Sequence, residues 1–262
     1  MDSQAKPVAV ITGASSGLGL DFAREAAADG YDLVLIARST APMESLAAEL
    51  QALHKTRTHV IGMDLALPGA GASAADAIAK LGVTVDVLIN NAGFGYNGSF
   101  ADSDPQETTR MTQLNIVTLT DLTRALLPAM LARKSGRVML LASTAAFQPG
   151  PMMAVYCATK AYVLSFGEAL AYELRGTGVT VTTVCPGATE TNFQKAASID
   201  ANSTLMKSPM MSSAAVAKDG YGAMKRGRRV IVTGIPNLIG AVMGRILPRD
   251  IVLPIAAKLL AK

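Results

Sequence analysis

Cysteine and histidine are both scarce, two of each in 262 residues. Cys157 and Cys185 lie in dissimilar surroundings with no second Cys or His at ligand spacing, which excludes a disulfide framework and offers no metal site. A reducing cytoplasm is the expected compartment. A short polar stretch, Met1 to Lys6, runs straight into an apolar segment and lacks the basic, apolar and small-residue parts of an export signal. Uninterrupted apolar runs are also missing: Pro236, Arg245 and Pro248 break the greasiest stretch before it reaches the ~20 residues of a membrane-spanning helix. The chain is expected to be soluble, or at most peripheral. Charge of one sign is low, with a formal net charge of +4. Basic residues are scattered apart from Lys225, Arg226, Arg228 and Arg229, so a nucleic-acid surface is not expected.

Half of the residues are hydrophobic, enough for a substantial core in one domain. Short apolar runs rich in β-branched residues alternate with longer helical patterns. Seven buried strands are predicted at Val8 to Thr12, Asp32 to Ala37, His59 to Met63, Val85 to Ile89, Gly136 to Leu141, Val179 to Val184 and Arg229 to Thr233. Helical stretches such as Leu18 to Asp29, Pro42 to Leu53, Pro105 to Arg133 and Ala154 to Gly176 have the length that crossovers between parallel strands require. The fold expected is α/β: a doubly wound parallel seven-stranded sheet of the Rossmann type. Thr189 to Ser213, rich in small and polar residues, reads as an irregular loop able to cover a substrate. From Ile235 to Lys262, apolar helical segments carry Arg245, Arg249, Lys258 and Lys262. That tail is expected to be amphipathic, closing over a pocket, packing on another subunit, lying on an anionic membrane or simply covering the core.

The first strand runs into Thr12-Gly13-Ala14-Ser15-Ser16-Gly17-Leu18-Gly19, where a helix begins. Glycines allow positive φ and let backbone N–H groups approach a pyrophosphate, which the helix N-terminus attracts. At the end of the second strand, Ala37-Arg38-Ser39 stands where a carboxylate would receive the 2′-hydroxyl of NAD. Ala37 cannot do so, whereas the Arg38 guanidinium suits a 2′-phosphate, with Ser39 as a further donor. NADP(H) is therefore the expected cofactor. After the third strand, Asp64-Leu65 offers a carboxylate either to an adenine amino group or to a helix N-terminus.

Four further signals follow: Asn90-Asn91-Ala92-Gly93, Asn115 in the long helix, Ser143 after the fifth strand, and Tyr156-Cys-Ala-Thr-Lys160. Positions i and i+4 share a helix face, so Tyr156 and Lys160 point together toward whatever Ser143 faces. A neighbouring ammonium favours phenolate, so Lys160 is expected to lower the Tyr156 pKa and make it a proton carrier. Ser143 would hydrogen-bond the substrate oxygen, and Asn115 would order water leading to Lys160.

In this combination the sequence resembles the short-chain dehydrogenase/reductase family, from Val8 to about Thr233. The resemblance implies Asn115, Ser143, Tyr156 and Lys160 as a catalytic tetrad. It also implies Gly13, Gly17 and Gly19 as the cofactor loop, Asp64 and Leu65 at the adenine, and Asn91, Ala92 and Gly93 supporting the cofactor. Pro186-Gly187-Ala-Thr-Glu-Thr191 looks like the family's sixth-strand motif, with Thr189 and Thr191 near the nicotinamide carboxamide. Three residues separate Gly13 from Gly17 and Tyr156 from Lys160, as in the compact branch. The activity implied is hydride transfer between NADP(H) and a carbonyl or alcohol carbon of a small molecule, by a homodimer or homotetramer built on the two long helices. A 3-oxoacyl thioester reductase would use the same residues. A cofactor-sensing protein without turnover would have a damaged tetrad, and here all four positions are filled. Pro151, Met152, Met153, Met206, Met210 and Met211 are expected to flank the site as an adaptable apolar pocket.

Overall fold

The computed structural model describes residues 6–200, 203–207 and 209–260. The expected tail residues 1–5, positions 201, 202 and 208 of the 189–213 segment, and residues 261–262 lie outside the described residues.

The elements run β1 (Val8–Thr12), α1 (Leu18–Ala28), β2 (Asp32–Ala37), α2 (Thr40–His54), β3 (Thr58–Gly62), α3 (Ala70–Ala79), β4 (Val85–Asn90), α4 (Pro105–Thr112), a π turn (Gln113–Thr118) and α5 (Leu119–Ala132). After these come β5 (Gly136–Leu141), α6 (Ala154–Glu173), β6 (Val179–Cys185), β7 (Thr189–Glu190), α7 (Phe193–Ala196), α8 (Thr204–Lys207), β8 (Met211–Ser212), α9 (Ser213–Lys225), β9 (Val230–Val232), α10 (Ile235–Ile246) and α11 (Arg249–Leu260). One parallel seven-stranded sheet has the order β3-β2-β1-β4-β5-β6-β9, with its direction of winding reversing between β1 and β4. This is the doubly wound Rossmann architecture expected from the sequence.

Alternation along the strands explains why both faces are covered. Val8, Val10, Val34, Ile36, Leu88, Val138 and Leu140 pack with α3, α5 and α6, while Ala9, Ile11, Leu33, Leu35, Val87 and Ile89 pack with α1, α2 and α9. Apolar residues are thus needed at every strand position.

Several boundaries shift from the expected ones. β3 is Thr58–Gly62, leaving Met63 beyond it, and β9 is only Val230–Val232 at the sheet edge. α1 stops at Ala28 and α6 at Glu173, because left-handed Gly30 (φ +88°) and Gly176 (φ +76°) turn the chain away. The 189–213 segment is not wholly irregular: β7 and β8 pair in parallel and tie its two ends together. Pro105–Ala132 is, by length and composition, apolar enough to cross a membrane, although polar and charged residues such as Arg110, Asp121 and Arg124 interrupt it. Its apolar residues serve the core instead, with Leu119, Leu122 and Met130 buried against the sheet.

Candidate active site

The β1–α1 turn supplies the phosphate cradle. Gly13 and Gly17 have φ of +68° and +54°, values that side-chain-bearing residues rarely adopt. A Cβ on Gly19 would overlap the Gly13 carbonyl oxygen, so glycine there lets α1 start hard against the turn. The Asn91-Ala92-Gly93 segment after β4 braces this cradle. The Asn91 side-chain amide donates to the carbonyls of Thr12 (2.9 Å) and Gly13 (3.3 Å), and Thr12 Oγ1 accepts from the N–H groups of Asn91 and Ala92, both at 3.0 Å. Thr12 was not singled out from the sequence, although its place just before the first glycine marks it.

Around the cradle lies a cleft of about 300 Å³, lined by Gly13, Ser15, Ser16, Gly17, Leu18, Arg38, Ser39, Asp64, Leu65, Asn91, Ala92, Gly93 and Thr191 among the expected cofactor residues. Arg110, which sequence reasoning missed, lines it too. Arg110 Nη2 pairs with Asp64 Oδ2 at 2.9 Å, and Asp64 Oδ1 accepts from the Ala66 N–H at 3.0 Å. Burial pushes the Asp64 carboxyl up, but these partners hold it below its ordinary value. Asp64 therefore organises the start of the chain after β3 as well as facing the cleft.

A second cleft, about 190 Å³, adjoins the first at Leu18, Thr191 and Phe193, which line both. It contains Ser143, Tyr156, Pro186, Gly187 and Thr189 on an apolar lining that includes Met153, Ile199, Ala256 and Leu259. Of the methionines expected at a pocket, only Met153 lines it. Met210 instead accepts a bond from Gln194, and Met211 belongs to β8. Gln194 also donates to the Thr189 carbonyl, and the Thr189 hydroxyl donates to the Gly187 carbonyl at 2.9 Å, which fixes the 186–191 strap. Thr191 packs beside Gly17, joining this strap to the cradle.

The four tetrad positions converge from three places: the turn after β5, α6 and the π turn. Ser143 follows β5 and faces the same cleft as Tyr156; its hydroxyl accepts from the Ala145 N–H at 3.1 Å and reaches the Pro186 carbonyl at 3.4 Å. On α6, Lys160 Nζ lies 5.7 Å from the Tyr156 ring centroid and donates to the Leu141 carbonyl at 2.7 Å. Asn115 sits in the π turn between α4 and α5, where the backbone widens by one residue, a feature often found at functional sites. Its side chain accepts from the Phe94 N–H (3.3 Å) and donates to the Phe94 carbonyl (3.0 Å) and to Thr159 Oγ1 (3.0 Å). Gly93 leaves room for both Asn115 and Lys160, since a Cβ there would come within 3.0 Å of Asn115 Oδ1 and 3.5 Å of Lys160 Nζ. Lys160, Asn115 and Gly19 line neither cleft, and support its walls from behind.

One expectation is corrected. Lys160 does not lower the Tyr156 pKa in the ligand-free site: burial raises the phenol well above its ordinary value, and the Ser143 hydroxyl opposes this only in part. Burial likewise pushes Lys160 down to about 8, so the ammonium that was to favour phenolate is itself penalised. Cys157 is buried beside Tyr156 with its thiol pushed up by burial to about 11, too high for nucleophilic work at neutral pH. Among the described residues, no group of three or more His, Cys, Asp or Glu could hold a metal ion.

Comparison with known proteins agrees with this geometry. The model of the short chain dehydrogenase family matches residues 7–202. Dehydrogenase/reductase SDR family member 7B of Bos taurus is 35% identical over 243 residues, covering 87% of this chain and 74% of that protein. A very-long-chain 3-oxoacyl-CoA reductase of Phaeosphaeria nodorum is 36% identical over 179 residues, 66% of this chain and 52% of the relative. Among solved structures, a short-chain dehydrogenase from Sphingobium yanoikuyae in complex with NADPH superposes with a TM-score of 0.81 at 31% identity, covering 91% of this chain and 94% of the other. One from Burkholderia phymatum in complex with NAD gives 0.81 at 26% identity, with 93% and 94% covered. The chain belongs to the short-chain dehydrogenase/reductase family of oxidoreductases acting on CH–OH and C=O groups.

Proposed function

We propose that the protein is an NADP(H)-dependent reductase of apolar ketones or aldehydes. The observation that carries this reading is the placement of Ser143 and Tyr156 together in an apolar cleft that opens onto the glycine cradle. The cradle fits a dinucleotide because Gly13 and Gly17, both at positive φ, line the cleft beside the α1 N-terminus and let backbone N–H groups face it. Preference for the 2′-phosphate rests on Arg38, which lines the cleft directly after β2 where no carboxylate stands.

A nicotinamide held there would supply the hydride for the carbonyl carbon, and this chain's own residues supply the proton for the oxygen. Ser143 and Tyr156 both hydrogen-bond that oxygen as it gains negative charge. Burial keeps Tyr156 protonated, the form that reduction needs, and Tyr156 gives up its hydroxyl proton to the new alkoxide. Lys160, with Nζ 5.7 Å from the Tyr156 ring centroid, is the group that returns a proton to it, and Asn115 orders the water that leads to Lys160. Thr189 and Thr191, held by the strap after β6, would hold the carboxamide end of a nicotinamide. Oxidation of an alcohol runs the same steps backward.

Reduction of 3-oxoacyl thioesters is the second reading, favoured by the likeness to the Phaeosphaeria nodorum reductase. For assembly, we propose a homodimer or homotetramer through α4–α5 and α6, whose outer faces expose Val117, Tyr162 and Tyr172. The two free buried thiols suit a reducing cytoplasm.

The test is consumption of NADPH and NADH with a panel of ketones, aldehydes and 3-oxoacyl thioesters, for wild type and Tyr156→Phe. Turnover with NADPH should fall about 10²- to 10⁴-fold in the variant while nucleotide affinity stays unchanged. Equal turnover by both proteins would remove Tyr156 from the chemistry, and NADH preference would remove Arg38 from cofactor choice.

A further inference from the structure

The helices α10 and α11 are built the wrong way round for a surface covering. Surface helices ordinarily bury their large apolar residues and expose polar ones. In α10 the buried positions are small, Ala241 and Gly244, the latter so close to Gln148 and the Phe147 carbonyl that a Cβ would crowd both. The large residues point outward: Ile235 is 76% exposed, Ile239 60% and Ile246 72%, with Leu238, Val242 and Met243 between them. Their spacing of three, four and seven places them along one helix face. α11 continues the pattern, exposing Ile251 and Ile255 while burying Val252 and Ala256. Isolated exposed aliphatics are ordinary, but a contiguous ridge of this kind marks an interaction surface.

The edge of the ridge is basic. Arg245, Arg249 and Lys258 are exposed along these helices, against one acid, Asp250. Arg245 shares Glu168 with Arg229 and lies over the Phe147 ring, and Arg249 donates to the Gly244 carbonyl. Two copies meeting on this ridge about a twofold axis would bring bases toward bases. A headgroup layer carrying negative charge complements the same pattern, since aliphatic residues enter the acyl boundary while Arg and Lys stay at the headgroups.

We propose that the ridge of α10 and α11 docks the protein on the surface of an anionic lipid bilayer. The same helix gives Ala256, buried beside the ridge, and Leu259 to the wall of the substrate cleft. One helix thus lies between bilayer and cleft, and the substrate class that follows, resting on the reductase reading above, is a carbonyl compound dissolved in the membrane.

Flotation of the full-length protein with phosphatidylcholine vesicles, with and without phosphatidylglycerol, tests the docking independently of turnover. Ile239→Asp combined with Ile246→Asp changes two outward side chains that touch neither cleft. Wild type should float with the anionic vesicles and about tenfold less with the neutral ones. The double variant should lose binding about tenfold or more while reducing a short water-soluble ketone at the wild-type rate. A long-chain ketone supplied in vesicles should be reduced more slowly by the variant. Failure of wild type to float with either vesicle overturns the docking, whatever the enzyme reduces. So does a wild-type oligomer that the double variant dissociates, which would make the ridge a subunit contact. If the protein floats but reduces no carbonyl compound, the reductase reading fails and the docking stands.

Discussion

Lys160 should make the ligand-free protein gain stability as pH rises from about 8 toward 10.5. The side chain is 5% exposed, and burial depresses its pKa from the ordinary 10.5 to about 8, with the Cys185 sulfur pulling slightly the other way. Below pH 8 the lysine is charged in both folded and unfolded chains, and the folded state carries the full cost of a buried ammonium. Between the two pKa values the unfolded chain holds a proton that the folded chain has released, so raising the pH favours folding. Above 10.5 both are neutral and the gain is complete. At about 1.36 kcal/mol per pKa unit, the fall from 10.5 to about 8 amounts to roughly 3 kcal/mol. The assay is urea unfolding across that pH range for wild type and Lys160→Met, which keeps an apolar stem and cannot titrate. Groups that do not interact with Lys160 titrate alike in both proteins and cancel in the difference, and Cys185, which does interact with it, is replaced by Ala in both backgrounds. The wild-type curve should climb relative to the variant through this window. Parallel curves would show that Lys160 reaches solvent and would remove the argument that burial controls the protonation of this site.

Gly19→Ala should raise the Kd for NADPH about 5- to 150-fold, because relieving the overlap with the Gly13 carbonyl costs about 1–3 kcal/mol of misfit at the cradle. Fluorescence titration of the nucleotide measures this, and an unchanged Kd at unchanged Tm would mean the turn has slack. Arg38→Asp should raise the KM for NADPH roughly tenfold or more by removing a charged hydrogen bond, while improving use of NADH. Steady-state rates with both nucleotides decide it, and an unaltered ratio would assign 2′-phosphate recognition elsewhere, with Arg110 the other cation lining the cleft.

The sheet was readable in the sequence because strands covered on both faces are apolar throughout. Val8–Thr12 and Asp32–Ala37 have no exposed residue and could be marked by composition alone. Gly13, Gly17, Tyr156 and Lys160 were readable because their geometry is local, a turn and one helical step. What escaped depends on contacts distant in sequence. The π turn exists where Asn115 reaches back to the Phe94 backbone, and the helical pattern on either side of it carries no sign of the added residue. Arg110 meets Asp64 across 46 residues. β7 and β8 contribute two residues each, too few to show a period. The direction of the Tyr156 shift was misjudged because adjacency to Lys160 can be read from spacing, whereas the burial that outweighs it is a property of the whole fold.

The pairing of β7 with β8 has a consequence for how such a protein can change. Everything from Thr189 to Ser212 leaves the sheet and returns to the same place, clasped by two short strands. Closing a flexible excursion costs little more when it grows, about 0.6 kcal/mol for each doubling of length. Evolution, or an engineer, can therefore lengthen or rewrite the chain from beyond Gln194 to the β8 clasp as an exchangeable cassette, leaving Thr191 at the cradle. Ser143, Tyr156 and Lys160 lie outside it, on β5 and α6 and the turn between them, so the reacting groups keep their places while the compounds admitted are renewed.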